Sequence, residues 1–327
     1  METIHPLTIV TPVYEDVRAF RHLLADLRAA CGAAVYVVAV DDGSIKEPLA
    51  PEVISEAGLN GMVLRLVRNI GHQSAIAIGL SYVAENAPSR TVVVMDCDGE
   101  DAPGSIADLT RRLAEGNVDI AVAQRRTRRE TLSFQAFYAV YKPMFRLLTG
   151  RDLGFGNFMA IQGRAVKRLV SMSELWIHVA ATVIASKLRV ARVPVDRQRR
   201  YAGESKMNFV SLALHGFRAM MVFSEDVLVR TGTFVASLIG VVTVVVAAAG
   251  ALKILGYATP GWLTTVVGLS LIIVLQTGTL TLTTLLTSGV IKSASLNTPN
   301  YRRFVEAELE AKAVEVAPPA PSAPVPA

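Results

Sequence analysis

Asp96 and Asp98 stand one residue apart where an apolar run stops, in the stretch V-V-V-M-D-C-D-G-E. Four apolar residues bounded by turn formers read as a buried parallel strand, and open α/β sheets carry their ligand chemistry at the carboxyl ends of such strands. Oxygen ligands gathered there suit a hard divalent ion that holds a diphosphate. A solvated Asp/Gly turn would give the same three letters, so the decision falls to the rest of the chain.

The elements that would position these carboxylates follow one another in strict alternation. Residues 7–13 form a predicted strand, 17–30 a helix, and 35–40 a strand that ends at Asp41-Asp42-Gly43-Ser44. Residues 62–68 form a third strand, 73–85 a helix opening with small residues, 91–95 the strand before Asp96, and 120–123 another strand. Alternation of this kind predicts an α/β fold, a mostly parallel sheet with crossover helices on its faces. Asn69, Gly71, His72 and Gln73 lead from strand to helix, where backbone N–H groups meet phosphate. No internal repeat is visible.

Composition bounds the remainder. The chain has 327 residues, a net charge of +5 and 51% hydrophobic residues, with a mean hydropathy of +0.40 that is high for a wholly soluble protein. That length accommodates one α/β domain of roughly 200 to 230 residues and something smaller. The apolar excess is concentrated: residues 233–251 carry no charge, Lys253 interrupts, and 254–291 carry none either. Neither run has a polar face, so two transmembrane helices are predicted, at about 232–254 and 262–286, turning at Gly256, Pro260 and Gly261.

Arg218 and Arg230 precede the first span, and Lys292, Arg302 and Arg303 follow the second. By the positive-inside rule both termini and the large N-terminal domain are cytoplasmic, on a multi-pass protein of the inner (plasma) membrane. Met1 to Pro6 is short and polar and does not read as a signal peptide. Cys31 and Cys97, the two cysteines, have no metal-type spacing and no need of a disulfide in the cytosol.

Two stretches, 131–148 and 207–229, mix Phe, Met and Leu with scattered polar groups and are predicted to be amphipathic helices at the membrane interface. The basic clusters Arg125, Arg126, Arg128, Arg129 and Arg197, Arg199, Arg200 lack aromatic interleaving, which points to anionic lipid or a phosphate ligand and away from nucleic acid. The tail from Glu306 runs into A-P-P-A-P-S-A-P-V-P-A, a composition expected to be disordered at its end. The predicted domains are therefore 1–205 catalytic, 206–230 interfacial, 231–290 transmembrane, and 291–327 a cytosolic tail.

Six motifs in register resemble one family: T-P-V-Y-E-D from Thr11, V-D-D-G-S from Val40, R-N-I-G-H-Q from Arg68, M-D-C-D-G-E-D-A-P from Met95, A-Q-R-R from Ala123 and R-Y-A-G-E-S-K from Arg200. They are similar to the inverting GT-A glycosyltransferases of family 2, and within it to the polyprenyl-phosphate sugar synthases, including bacterial members with two C-terminal spans. The resemblance covers roughly residues 6–290 and implies a GT-A sheet with flanking helices.

It also implies transfer of one sugar from a UDP- or GDP-sugar to polyprenyl phosphate, with Mg²⁺ or Mn²⁺. Transfer to another lipid acceptor and a catalytically silent nucleotide-sugar-binding scaffold are the competing readings, and a homo-oligomer stays open. The resemblance places Pro12, Tyr14, Asp16, Asp41, Asp42, Asn69, His72, Gln73, Asp96 and Cys97 along the nucleotide sugar, Cys97 replacing a small alanine and having no chemistry of its own. Asp96 and Asp98 become the metal ligands, with Glu100 a third candidate where the family commonly has glutamine.

Arg125, Arg200 and Lys206 become catalytic cations that hold donor and acceptor phosphates, with Arg128 or Arg129 in reserve, and Gly203 lets their loop fold over the site. A phosphate monoester with a second pKa of about 6 is already an anionic nucleophile, so no general base is required. One departure stands out. Bacterial relatives often carry G-D-F-R-L where this chain has Gly156-Asn157-Phe158-Met159-Ala160, which puts sugar specificity in question.

Overall fold

The structure is a computed structural model that describes residues 4–125, 132–196, 198–201, 209–257, 259–295 and 298–313. Residues 1–129, 153–208 and 298–327 belong to one compact unit, and 130–152 with 209–297 to a second.

The first unit is built on an eight-stranded sheet. β1 (His5–Val13), β2 (Val35–Asp41), β3 (Asn60–Leu66) and β4 (Ser89–Val94) form its parallel centre, and β5 (Ile120–Arg125), β6 (Met159–Gln162), β7 (Val190–Val195) and β8 (Val305–Ala311) complete it in the order β7-β5-β6-β4-β1-β2-β3-β8. β1 pairs in parallel with β2 on one side and β4 on the other, so the strand order reverses at β1. A crevice opens outside the carboxyl ends of strands at such a reversal. The loops after β1, β2, β3 and β4 all leave from that edge.

Helices cover both faces. α1 (Val17–Cys31) starts where Asp16 accepts a hydrogen bond from the Ala19 N–H at 3.2 Å, and ends at Gly32 with φ +79°. Phe20, Leu23, Leu24 and Leu27 repeat at helical spacing and are fully buried against the sheet. Burial of each such side chain contributes about 1.5–3 kcal/mol. α2 (Glu52–Glu56) and α4 (Ile106–Ala114) share that face, with Ile54, Ile106 and Leu109 in the same core. On the other face, α3 (His72–Asn86) lies so close to the sheet that a Cβ on Gly79 would come within 2.5 Å of Val10 Cγ1. α6 (Gly163–Val170) and α7 (Val179–Ala185) complete the second core.

Three strands depart from the sequence expectation. β6 and β7 follow the point where the alternating pattern fades, and β7 contains Pro194, which an outer strand tolerates because its free edge needs no ladder donor. β8 corrects the expected tail. The V-E-A-E-L-E-A run is an edge strand antiparallel to β3, with Glu306, Glu308 and Glu310 exposed, charges that discourage edge-to-edge pairing. It is anchored by Asn86 Nδ2, which donates to Tyr301 Oη at 2.8 Å, and by the Trp176–Phe304 ring contact. Residues 314–327 lie outside the described residues.

The second unit is helical: α5 (Leu132–Thr149), α8 (Phe209–Met221), α9 (Ser224–Ile254) and α10 (Trp262–Ser295). Tyr141 Oη donates to the Gly216 carbonyl at 2.8 Å, and a Cβ at Gly216 would come within 2.8 Å of the Tyr141 ring, so α5 and α8 pack at a small residue. Phe145 meets Phe223 edge-on at 6.0 Å. α9 begins at Ser224, so the interfacial stretch expected through residue 230 divides into α8 and the first turns of a long apolar helix. Ser224–Ile254 and Trp262–Thr287 are long and apolar enough to cross a membrane, with mean hydropathies of 2.4 and 1.8 and almost no surface buried within the protein.

Candidate active site at the carboxyl edge of the central strands

The turn after β4 is held in shape by its own carboxylates. Asp101 Oδ2 accepts from the Asp96 N–H at 3.1 Å and Asp98 Oδ1 from the Glu100 N–H at 2.9 Å, with Gly99 supplying φ +87°. Asp96 Oδ1 is buried without a hydrogen-bond partner among the described residues, and His72 Nε2 stands 3.1 Å from it. Asn157 Nδ2 lies 3.1 Å from the same His72 nitrogen, so the start of α3, the turn after β4 and the loop before β6 meet at one point.

Two cations close the other side. Arg200 places Nη2 3.1 Å from Asp98 Oδ2 and donates from Nε to Glu100 Oε1 at 2.8 Å. Arg125, at the end of β5, reaches Glu100 at 3.7 Å and Asp101 at 3.9 Å. Asp96, Asp101, Arg125, Asn157 and Asp196 line a small open cleft.

The electrostatics divide the carboxylates. Burial would raise the Asp96 carboxyl, but the His72 imidazole beside it, helped by Arg125 and Arg200, holds it below the ordinary range. Burial and the Asp96 charge raise Asp98, and they push Asp101 up to about 8. Burial lowers the His72 imidazole, but the Asp96 carboxylate and the other acidic groups of the turn outweigh it and raise it above the usual value.

The other expected site residues separate into exposed and loop-building groups. Asp41 is buried and accepts from the Ser44 N–H at 3.0 Å and the Leu49 N–H at 2.9 Å. Asp42 accepts from the Ile70 and Gly71 N–H groups at 2.8 and 3.0 Å, and burial raises its carboxyl. Both carboxylates are engaged by backbone donors and fix the loops that follow β2 and β3. Gln73 is likewise buried, its Oε1 accepting from the Val179 N–H at 2.7 Å. Asp16 caps α1, and Pro12 lies within β1. Tyr14 and Asn69 stand exposed at the same edge, while Cys97 packs into the core beneath the turn. Lys206 and Arg129 lie outside the described residues, as do Arg126, Arg128, Arg197 and Gly203.

Asp101 and Asp196 enter the cleft without having been singled out from the sequence. Asp101 sits within the quoted D-C-D-G-E-D run, and its position three residues beyond Asp98 was the available signal. Among the described residues no group of three or more His, Cys, Asp or Glu side chains is gathered as a cage for a metal ion.

Comparison with known proteins now bears on this edge. The description of Glycosyl transferase family 2 matches residues 8–171, which run from β1 past α6 and take in the whole acidic turn. The chain belongs to glycosyl transferase family 2. Among its relatives is the undecaprenyl-phosphate 4-deoxy-4-formamido-L-arabinose transferase of Enterobacter sp. (strain 638), 28% identical over 222 residues. That match spans 65% of this chain and 65% of the Enterobacter protein. The transferase of the same name from Salmonella paratyphi A is 26% identical over 219 residues, 64% of each chain. Among solved structures, glucosyl-3-phosphoglycerate synthase from Mycobacterium tuberculosis, in complex with Mn²⁺, UDP-glucose and phosphoglyceric acid, superimposes with a TM-score of 0.52 at 14% identity. The match covers 68% of this chain and 80% of that one, and the likeness shows a shared fold.

Proposed function

We propose that this family 2 member is a membrane-anchored, metal-dependent inverting glycosyltransferase that moves one sugar from a UDP- or GDP-sugar onto a polyprenyl phosphate at the cytoplasmic face. The observation that carries the reading is the pairing of Arg200 with Asp98 and of Arg125 with Glu100, which sets cationic groups for phosphates beside the acidic groups of the Asp96–Asp98 turn that could hold a metal. The names of the Enterobacter and Salmonella relatives supply the acceptor class.

Asp96 and Asp98 fit a divalent ion. Mg²⁺ and Mn²⁺ sites of this kind use one or two carboxylates and complete their shell with substrate phosphates, so a full protein cage is not needed. The buried Asp96 Oδ1, beside His72 and without a hydrogen-bond partner among the described residues, is an oxygen suited to that role. The ion, when bound, would neutralise charge on the departing nucleoside diphosphate. Glu100, already committed to Arg200 and Arg125, serves as an anchor for those cations more than as a third ligand.

Arg200 and Arg125 then hold phosphate oxygens, for which the planar guanidinium is well shaped. The N-terminal turn of α3 adds backbone donors at the same edge. An oxygen of the acceptor phosphate bonds to the anomeric carbon as the bond from that carbon to the diphosphate breaks, the electron pair leaving with the diphosphate. Attack from the opposite face inverts the anomeric centre. The two apolar helices would hold the enzyme on the bilayer, and the exposed α8 stripe Val210, Leu214, Phe217 and Met221 suits the interface.

Incubation of the protein in membranes with labelled UDP- and GDP-sugars, each with polyprenyl phosphate or the unphosphorylated polyprenol, tests the reading. Product is expected only on the phosphorylated lipid, with an inverted anomeric linkage. Equal product on the alcohol favours the other lipid acceptor; donor binding without product across the panel favours the scaffold.

A further inference from the structure

Residues 198–201, which follow β7, are fastened to the acidic turn by main-chain bonds. Gln198 N–H donates to the Glu100 carbonyl at 3.2 Å and Tyr201 N–H to the Asp98 carbonyl at 3.0 Å. The Tyr201 ring lies directly over Gly99, where a Cβ would sit 2.6 Å from Tyr201 Cδ2. Its hydroxyl donates to Asp26 Oδ2 at 2.6 Å, and its ring stacks on His22 with centroids 5.5 Å apart and planes 28° apart. His22 and Asp26 are one turn apart on the exposed side of α1, so together they form a seat on a rigid helix. No step of the transfer uses His22, Asp26 or Tyr201.

We propose that Tyr201 is a positioning residue for Arg200. Seated on His22 and Asp26 and closed over Gly99, it fixes the register of residues 198–201 so that the Arg200 guanidinium meets Asp98 and Glu100. The inference rests on the reading of Arg200 as a phosphate-holding cation. A guanidinium on a flexible stem reaches two carboxylates at once only if its backbone cannot slide. The two main-chain bonds define the register, and the ring filling the space above Gly99 prevents a shift by one residue. Asp26, far from Asp96 in sequence and on an outer helix face, thereby becomes coupled to the site.

The full chain in detergent or lipid discs provides the test. Tyr201→Phe removes the hydroxyl donor and keeps the ring, and Asp26→Leu removes the acceptor at similar size, so each deletes the same hydrogen bond. Each is expected to lower kcat about tenfold with a smaller change in donor KM, and the double variant is expected to be no worse than the worse single one. In an Arg200→Ala background, adding Tyr201→Phe is expected to cause no further loss. Amide hydrogen exchange in a peptide spanning 198–201 should accelerate in Tyr201→Phe while exchange in β1 and β4 stays unchanged.

Unchanged kcat and exchange in Tyr201→Phe overturn the proposal, as does a full additional loss in the Arg200→Ala background. A wild-type chain that transfers no sugar from any donor defeats the transferase reading instead. The exchange measurement still decides whether Tyr201 holds the segment.

Discussion

Arg200 Nη2 lies 3.1 Å from Asp98 Oδ2, an ion pair that joins the segment after β7 to the turn after β4. The same guanidinium reaches Glu100, so the carboxylates of the acidic turn do not face one another uncompensated. If Arg200 turns from this pair to phosphate oxygens during transfer, Arg200→Ala should lower kcat about 10²- to 10³-fold, the range found when one donor to developing charge is removed. Arg200→Lys should recover only part of the loss, because a point charge does not reproduce a two-pronged contact. Steady-state rates on polyprenyl phosphate check both outcomes, and wild-type turnover by the alanine variant would remove Arg200 from the site.

Asp96 and Asp98 carry the metal expectation. Asp96→Ala and Asp98→Ala should each reduce turnover by orders of magnitude with the sheet still folded, and chelation should abolish activity until Mg²⁺ or Mn²⁺ is restored. Paramagnetic resonance of Mn²⁺ in the presence of nucleotide should show weakened binding in both variants. Full activity in a chelator would end the metal mechanism.

Orientation is testable by labelling. With Cys31 and Cys97 replaced, a cysteine introduced at Thr259 should react with an impermeant reagent from outside intact cells, and one at Ser322 should react only after permeabilisation. The reverse pattern would separate the cleft from cytosolic donors.

Asp119 links acidity to stability at the opposite end of β5. Arg189 donates to it from Nε and Nη2 at 2.9 Å each, Arg164 adds a contact at 3.1 Å, and the Arg189 hydrogen bonds hold its carboxyl well below the usual range. A depressed folded-state pKa stabilises above the unfolded value of about 4, and that contribution is lost as the pH falls through the folded value. The melting temperatures of wild type and Asp119→Asn should therefore differ above pH 5 and converge as the pH is lowered below 4. A gap that stays constant across that range would contradict the linkage.

The acidic turn, the α1 pattern and the two long apolar helices were legible in the sequence because each is a local property. A run such as Val92–Val94 buries itself wherever it lies, Phe20, Leu23, Leu24 and Leu27 need only a helical period, and a long uncharged stretch has no polar face to offer water. β8 had a local signal too, the alternation of V-E-A-E-L-E-A. It was hidden by the Pro/Ala-rich composition that follows, and its partner β3 lies more than 200 residues earlier. Tertiary structure alone decided which of the acidic residues are taken up by backbone donors. Asp41 and Asp42 look in sequence like Asp96 and Asp98, yet both oxygens of each are taken by backbone N–H groups of the loops after β2 and β3, whereas Asp98 shares its oxygens between the Glu100 N–H and Arg200 and Asp96 Oδ1 stands beside His72. Only the convergence of distant segments on one sheet edge sets Arg200 on Asp98, His72 on Asp96 and Tyr201 on Asp26. Hydrogen-bond partners are assigned by proximity in space, which a pattern of spacings along the chain does not contain.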